Sequence, residues 1–173
     1  MNTKGLRQIG KGAFSTVYKK TADKVLIEST DKVKECMSLG WFPKSKLFPI
    51  IKYVGANSHN DLKFYECKFY EKICAVKPNL TKFDYEFYRV LRNLPIDYQI
   101  HPYASFKELH RVFDTVPNKF HSKRRALKDA LDALSNYGPD IGFEISPRNI
   151  AIENKRLVLL DCFFIKSDLK QRS

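Results

Sequence analysis

Short β-favouring runs fill the first part of the chain, and from Lys82 onward apolar residues recur with a helical period. Positions 6–9 lead into Gly10-Lys11-Gly12, and 13–20 carries Phe14, Thr16, Val17 and Tyr18. Thr21-Ala22-Asp23 turns the chain into 24–29, which holds Val25-Leu26-Ile27, so the pattern predicts a β-meander. Thr30 or Asp31 offers an N-cap to a short helix from Lys32 to about Leu39, which Gly40 ends. Strands follow at 50–54 and 62–69 around a polar turn at 55–61, and 70–80 reads as a connector leaving the sheet. Phe83, Phe87, Val90, Leu91 and Leu94 then share one helical face that Pro95 closes. Further helices are expected at 106–114 and 118–136, the latter with Leu127, Ala130, Leu131 and Leu134 at i, i+3, i+4, i+7. A terminal hairpin pairs 150–152 with 157–160 across Glu153-Asn154-Lys155. Strands first, helices next and a late hairpin describe an α+β chain in two lobes, divided at 1–78 and 79–173.

Composition narrows the class. Apolar residues make up 43% of the 173 positions, enough to build a core and too many for a disordered tail. Lys and Arg number 31 against 19 Asp and Glu, a formal charge of +12, which favours polyanionic company such as nucleotide phosphates, nucleic acid or an acidic protein surface. No apolar run approaches the roughly 20 residues that span a bilayer, and the start lacks a secretory signal, so no membrane partner is expected. Cys36, Cys67, Cys74 and Cys162 sit among apolar neighbours without zinc-site spacing and read as reduced core thiols of a cytoplasmic protein. His59, His101, His110 and His121 form no ligand motif.

Two segments carry candidate chemistry. In Gly10-Lys11-Gly12-Ala13-Phe14-Ser15-Thr16-Val17-Tyr18, two glycines between strands let backbone N–H groups approach a phosphate. An ordinary hairpin turn has the same pattern, but Phe14 and Val17 in the second strand give the strand-turn-strand form of a phosphate flap. No G-x-x-x-x-G-K-[ST] occurs, which excludes a P-loop NTPase. About 130 residues later, Glu144-Ile145-Ser146-Pro147-Arg148-Asn149-Ile150-Ala151-Ile152 precedes Leu157-Val158-Leu159-Leu160-Asp161. The Asn149 amide oxygen and the Asp161 carboxylate bracket a hairpin and can converge on one Mg²⁺, with Glu144 in reach of a hydroxyl. A loop carboxylate and a strand-ending Asp are also common without any such role.

In this order and spacing the two segments resemble the protein kinase fold, and more narrowly the small divergent serine/threonine kinases that bacteriophages make early in infection. The GKGAFSTVY segment, the strand Pro49-Ile50-Ile51-Lys52-Tyr53-Val54, SPRNIAI and LVLLD carry the resemblance. It implies a minimal bilobal fold, an N-terminal antiparallel sheet with one helix and a truncated helical C-lobe. It implies ATP and Mg²⁺ as cofactors, with Asn149 and Asp161 on the metal and Glu144 in the base position. Adenine would face the backbone near Phe69, Tyr70 and Glu71, and the phosphates would lie under Gly10, Gly12, Ser15 and Val17.

Departures from the family pattern are specific. Glu144 is one methylene longer than the usual Asp and follows Gly142-Phe143 instead of His-Arg, and Cys162-Phe163 follows Asp161. Glu28 stands where the ATP-anchoring Lys belongs, so a cation must neutralise it. Lys34 is expected to face Glu28 as an inverted Lys–Glu pair, or Lys11, Lys19 or Lys24 to bring charge to the phosphates. With only 162–173 after Asp161, the activation segment and the substrate-binding helical subdomain are expected to be absent.

The activity implied is phosphorylation of Ser or Thr on host proteins and on the chain itself. The alternative is an inactive pseudokinase that binds and inhibits a host defence or nucleic-acid-handling partner. A third reading, phosphorylation of a small molecule as in aminoglycoside kinases, needs a larger C-lobe than this chain offers. Lys119, Lys123, Arg124, Arg125 and Lys128, with Lys166, Lys170 and Arg172, form either a solvated helix face or a docking stripe for nucleic acid or an acidic protein. Aromatics such as Tyr65, Tyr85, Phe87 and Tyr88 have the spacing of packing residues more than of base-stacking ones.

Overall fold

The computed structural model describes residues 3–57, 62–71, 73, 75–96 and 102–166, the side chains of 102–104 excepted. Cys74, His59, His101, Lys170 and Arg172 lie outside the described residues.

Five strands form the N-terminal sheet: β1 (Arg7–Lys11), β2 (Ser15–Lys19), β3 (Lys24–Ser29), β4 (Ile51–Ala56) and β5 (Lys63–Lys68). They run antiparallel in the order β1-β2-β3-β5-β4, with helix α1 (Lys32–Ser38) inserted between β3 and β4. Asp31 caps that helix, its carboxylate accepting from the Val33 N–H at 2.8 Å. Gly40 follows with φ +76, a conformation that costs a β-carbon-bearing residue about 1 kcal/mol or more.

Cross-strand register sorts the side chains of the sheet. Val25 faces Cys67, which faces Ile51, and Ile27 lies between Val17 and Tyr65, so these residues share one face. They join Val33, Cys36 and Met37 of α1 in the main core. Glu28 pairs with Thr16 and Phe64, and Leu26 with Tyr18 and Glu66, so these six occupy the opposite face.

The second half holds α2 (Lys82–Arg92), α3 (Pro102–Asp114) and α4 (His121–Leu134), with 3₁₀ turns at Asn118–Phe120 and Ser135–Tyr137 flanking α4. Four short strands finish the fold: β6 (Ile141–Phe143), β7 (Ile150–Glu153), β8 (Arg156–Leu159) and β9 (Phe163–Ile165). β7 and β8 make the expected hairpin, and β6 pairs with β9, a sheet the periodicity does not announce. At Gly142 of β6 an added Cβ would stand 2.3 Å from the Phe164 ring, so that ring needs a glycine opposite it. The α+β order expected from the sequence is the one the chain adopts: an antiparallel sheet with one helix, then helices and the late hairpin.

The buried face of α2 differs from the expected one. Asp84, Phe87, Tyr88 and Leu91 are buried, while Phe83 is 45% exposed and leans on Phe120. The Asp84 carboxylate turns the helix inward by accepting from Lys123 of α4 (2.7 Å), the Leu157 N–H of β8 (3.0 Å) and the Thr81 hydroxyl (2.9 Å). An aromatic chain crosses between the two halves: Phe42 and Phe48 of the 40–50 loop meet Phe163, which meets Phe143 at 4.9 Å between centroids.

Candidate functional site

Asn149 ends the loop before β7, and Asp161 follows β8, so the hairpin returns the chain to where it left. One atom holds that closure. The Asn149 carbonyl accepts from the Leu160 N–H (2.9 Å), the Asp161 N–H (3.2 Å) and the Cys162 thiol (3.2 Å). Glu144 is fixed alongside, its N–H donating to the Cys162 carbonyl at 2.8 Å. The Cys162 thiol is pushed well above its ordinary pKa, first by burial and further by the nearby charges of Asp161 and Glu144. Glu144, Asn149 and Asp161 thus form one loop cluster, anchored beneath by Phe163 in the aromatic core.

The cation at this cluster comes from α1. Lys34 is buried, and its ammonium donates to Asp31 (2.6 Å) and to Asp161 (2.9 Å). Burial alone would lower its pKa, but the two carboxylates outweigh that and raise it above the ordinary lysine value. The lysine is therefore a permanent charge at neutral pH. Asp161 remains 55% exposed, so one face of its carboxylate is open to solvent.

The glycine-bearing turn is tied to the same point. Ser29 donates to the Phe14 carbonyl (2.9 Å), so in its contact with Ser15 (2.7 Å) the Ser15 hydroxyl is the donor. The Asp31 N–H in turn donates to the Ser29 hydroxyl at 3.0 Å. A continuous path of hydrogen bonds runs Ser15–Ser29–Asp31–Lys34–Asp161, from the start of β2, just after the β1–β2 turn, to the late hairpin. Within the turn, the Gly12 N–H donates to the Ser15 carbonyl at 2.8 Å, and Gly10 packs against Val17. Gly10 and Gly12 have no positive φ, and a Cβ on Gly12 would meet nothing closer than the Ser15 carbonyl at 3.9 Å. Gly12 thus lacks a side chain at a position where the fold would admit one.

Glu28 and Lys34 do not pair. Glu28 lies on the face of β3 turned away from α1, where the Tyr18 hydroxyl donates to it at 3.1 Å. The strand alternates sides at each residue, so on the α1 side β3 presents Ile27 and Ser29, neither of them a cation. Lys34 is committed to Asp31 and Asp161, a partnership readable afterwards as the i, i+3 spacing of Asp31 and Lys34. Ser29 and Asp31, both buried, are the members of the path that sequence reasoning left without a role there.

Other candidate cations point elsewhere. Lys24 and Lys20 both grip Glu66 on the sheet's opposite face, and their hydrogen bonds hold that carboxyl down to about pKa 2. Lys19 donates to the Ala22 carbonyl and lies over the Phe69 ring. Lys11 is exposed on β1. At the expected adenine-facing segment, the Phe69 N–H already donates to the Asp23 carbonyl at 2.7 Å, Tyr70 is half-buried and Glu71 is exposed.

The basic helix face is largely paired within the chain. Lys119 meets Glu86, Lys123 meets Asp84 and Lys128 meets Asp114, each at 2.7 Å, while Arg124 donates to the carbonyls of Asp114 and Val116. Arg125 lies 3.8 Å from Asp129, and Lys166 donates to Ser105. Cys36, Cys67 and Cys162 are buried free thiols, and burial raises the first two to about pKa 11. Among the described residues no three His, Cys, Asp or Glu side chains gather as a metal-holding group, and no helix is long and apolar enough to cross a membrane. A magnesium ion here would rest on Asp161 and Asn149 alone, completed by phosphate and water oxygens. Both are hard oxygen donors, and the lysine contact leaves one Asp161 oxygen for the metal, so the pair fits such an ion.

No protein-family model and no curated protein matches the sequence. Among solved structures, the chain is similar to a ternary complex of APH(2″)-IIa with streptomycin and ATP, at 15% identity and a TM-score of 0.40, covering 94% of this chain and 67% of that one. It is also similar to a thermostable mutant of an aminoglycoside phosphotransferase in ternary complex with AMP-PNP and hygromycin B, at 15% identity and a TM-score of 0.43, covering 93% and 68%.

Proposed function

We propose that the chain is a minimal ATP-dependent phosphotransferase that moves the γ-phosphoryl group to a Ser or Thr hydroxyl of a protein, a host protein in the phage setting, and to itself. The observation that carries this reading is the buried Lys34, held between Asp31 and Asp161 and joined through Ser29 and Ser15 to the glycine-bearing turn. A fixed positive charge beside a half-exposed carboxylate, tied to the glycine-bearing turn, supports a site for a triphosphate with its metal. Lys34 takes the role of the missing strand lysine from the helix side. Asp161 and Asn149 would hold Mg²⁺, which would supply charge neutralisation to the transferred group. The acceptor oxygen attacks the γ-phosphorus, the bond to the β–γ bridging oxygen breaks, ADP leaves and Glu144 takes the hydroxyl proton.

The test is transfer of radiolabelled γ-phosphate from ATP to the protein itself and to a cell lysate. Wild type is expected to label, Asp161→Ala to lose at least a hundredfold, and Lys34→Met to lose at least tenfold. Label that survives Asp161→Ala at full strength overturns the reading.

A second reading, a pseudokinase that binds and inhibits a partner, is favoured by two observations. The Phe69 N–H is already bonded to Asp23, and β3 presents no cation toward α1. On that reading Lys34 only clasps the two halves together. Mg·ATP would then leave the melting temperature unchanged, no label would appear, and a partner would be retained by Asp161→Ala as by wild type.

A further inference from the structure

The 40–50 loop, the end of β5 and the β7–β8 hairpin enclose a cavity of about 910 Å³, and no residue of the glycine-bearing turn and none of Glu144, Asn149 or Asp161 lines it. Its volume is that of a small-molecule site. The wall is apolar where the chain packs most tightly, with Met37, Phe48 and Val158 buried behind it. The mouth is cationic: Lys44, Lys46, Lys68 and Arg156 line it against a single acid, Glu153. That acid is already taken by Lys68 in an ion pair. Lys44, Lys46 and Arg156 are exposed and, among the described residues, have no hydrogen-bond or ion-pair partner. Ile50, at 78% the most exposed of the large apolar side chains described, stands at the same mouth. Elsewhere on the molecule most basic side chains near an acid are paired with it, as along α4. Three uncommitted cations around an apolar recess are the complement of one ligand class.

We propose that this cavity is a second ligand site, separate from the Asp161 cluster, that takes a small amphipathic anion: an apolar ring or chain bearing a carboxylate, sulfonate or phosphate. The body fills the recess against Phe48 and Val158 while the charged end meets Lys44, Lys46 and Arg156. Contact with an apolar wall supplies the affinity, and the cations supply selection for the anion.

The probe is 8-anilinonaphthalene-1-sulfonate, titrated by fluorescence against the full chain, with uncharged N-phenyl-1-naphthylamine as its comparison. Expected is saturable one-to-one binding of the sulfonate, with the uncharged compound at least tenfold weaker. Lys44→Ala/Lys46→Ala/Arg156→Ala, three exposed positions, is expected to weaken the sulfonate at least tenfold with an unchanged melting temperature. Ile50→Glu, which adds an acid at the mouth, is expected to weaken it similarly. Mg·ATP is expected not to displace the probe. Absence of binding, equal affinity for the uncharged compound, or an unchanged constant in both variants overturns the proposal. Competitive displacement by ATP, persisting in Asp161→Ala, overturns the separateness of the site and makes the cavity the nucleotide pocket instead.

Discussion

Asp84 is a buried acid in a chain with a large excess of base, and it fastens three elements at once. Burial pushes its carboxyl up, but hydrogen bonds from Lys123, the Leu157 N–H and Thr81 outweigh that and hold it below the ordinary aspartate value. A depressed folded-state pKa contributes stability that is fully present above the unfolded value near 3.9 and is lost as pH falls below it. Asp84→Asn is therefore expected to cost about 1–3 kcal/mol at pH 7, because Lys123 and Leu157 lose a charged acceptor. It is also expected to flatten the fall in melting temperature between pH 5 and pH 3; thermal melts of both proteins across that range check it. At this scale the sequence was least legible. Glu28 was visible as unusual, but whether it pairs with Lys34 of α1 depends on which face of β3 Glu28 takes, and a slip of one position reverses it. Asp31 was readable as a helix cap, but its link through Ser29 to the β1–β2 turn appears only when that turn is laid beside α1.

Among the elements, the β7–β8 hairpin governs both candidate sites, since Asn149 and Asp161 stand at its open end and Asn154 and Arg156 border the cavity at the other. Its turn is under strain: Asn154 and Lys155 have φ of +50 and +60, the pair of left-handed residues that a two-residue hairpin turn demands. Asn tolerates that conformation and Lys does not, at a cost of order 1 kcal/mol. The strain is retained because the Lys155 carbonyl accepts from the Thr81 N–H at 2.9 Å, at the cap of α2. Lys155→Gly is expected to stabilise the protein by about 1 kcal/mol, read as a raised urea midpoint, and loss of stability would show that the lysine side chain matters more than its backbone. The strands β1 to β5 and this hairpin were legible because alternation and turn residues are local signals. β6 and β9 were not, being three residues each and apolar on both faces. The expected face of α2 was shifted by Asp84, a polar residue in a core position that periodicity counts as surface.

For the whole molecule, the two halves meet through packing and, among the described residues, through the ion pairs Lys34–Asp161 and Lys68–Glu153. The Phe42–Phe48–Phe163–Phe143 chain supplies the apolar part, and of the two ion pairs Lys34–Asp161 is the one with a buried lysine. Lys34→Met leaves Asp31 buried without its counter-charge and is expected to cost about 3 kcal/mol, whereas Asp161→Asn, at a half-exposed position, costs much less. A double-mutant cycle by urea denaturation is expected to return a coupling of about 1 kcal/mol, and a value near zero would mean that the contact does not hold the halves together. The overall plan was legible in advance since the order of strands, helix and hairpin is set by the chain, while the contacts across the halves are set by register and packing that no single segment records.

The triple acceptor at Asn149 has a practical corollary. Everything that position does for the loop's shape passes through its main chain, so the amide group of the side chain is spared for other work. Exchanging that amide for a methyl group leaves the scaffold its fastening and removes only a donor set. Where shape and binding rest on the same atoms neither can be altered alone; here a single position lets one be cut away from the other.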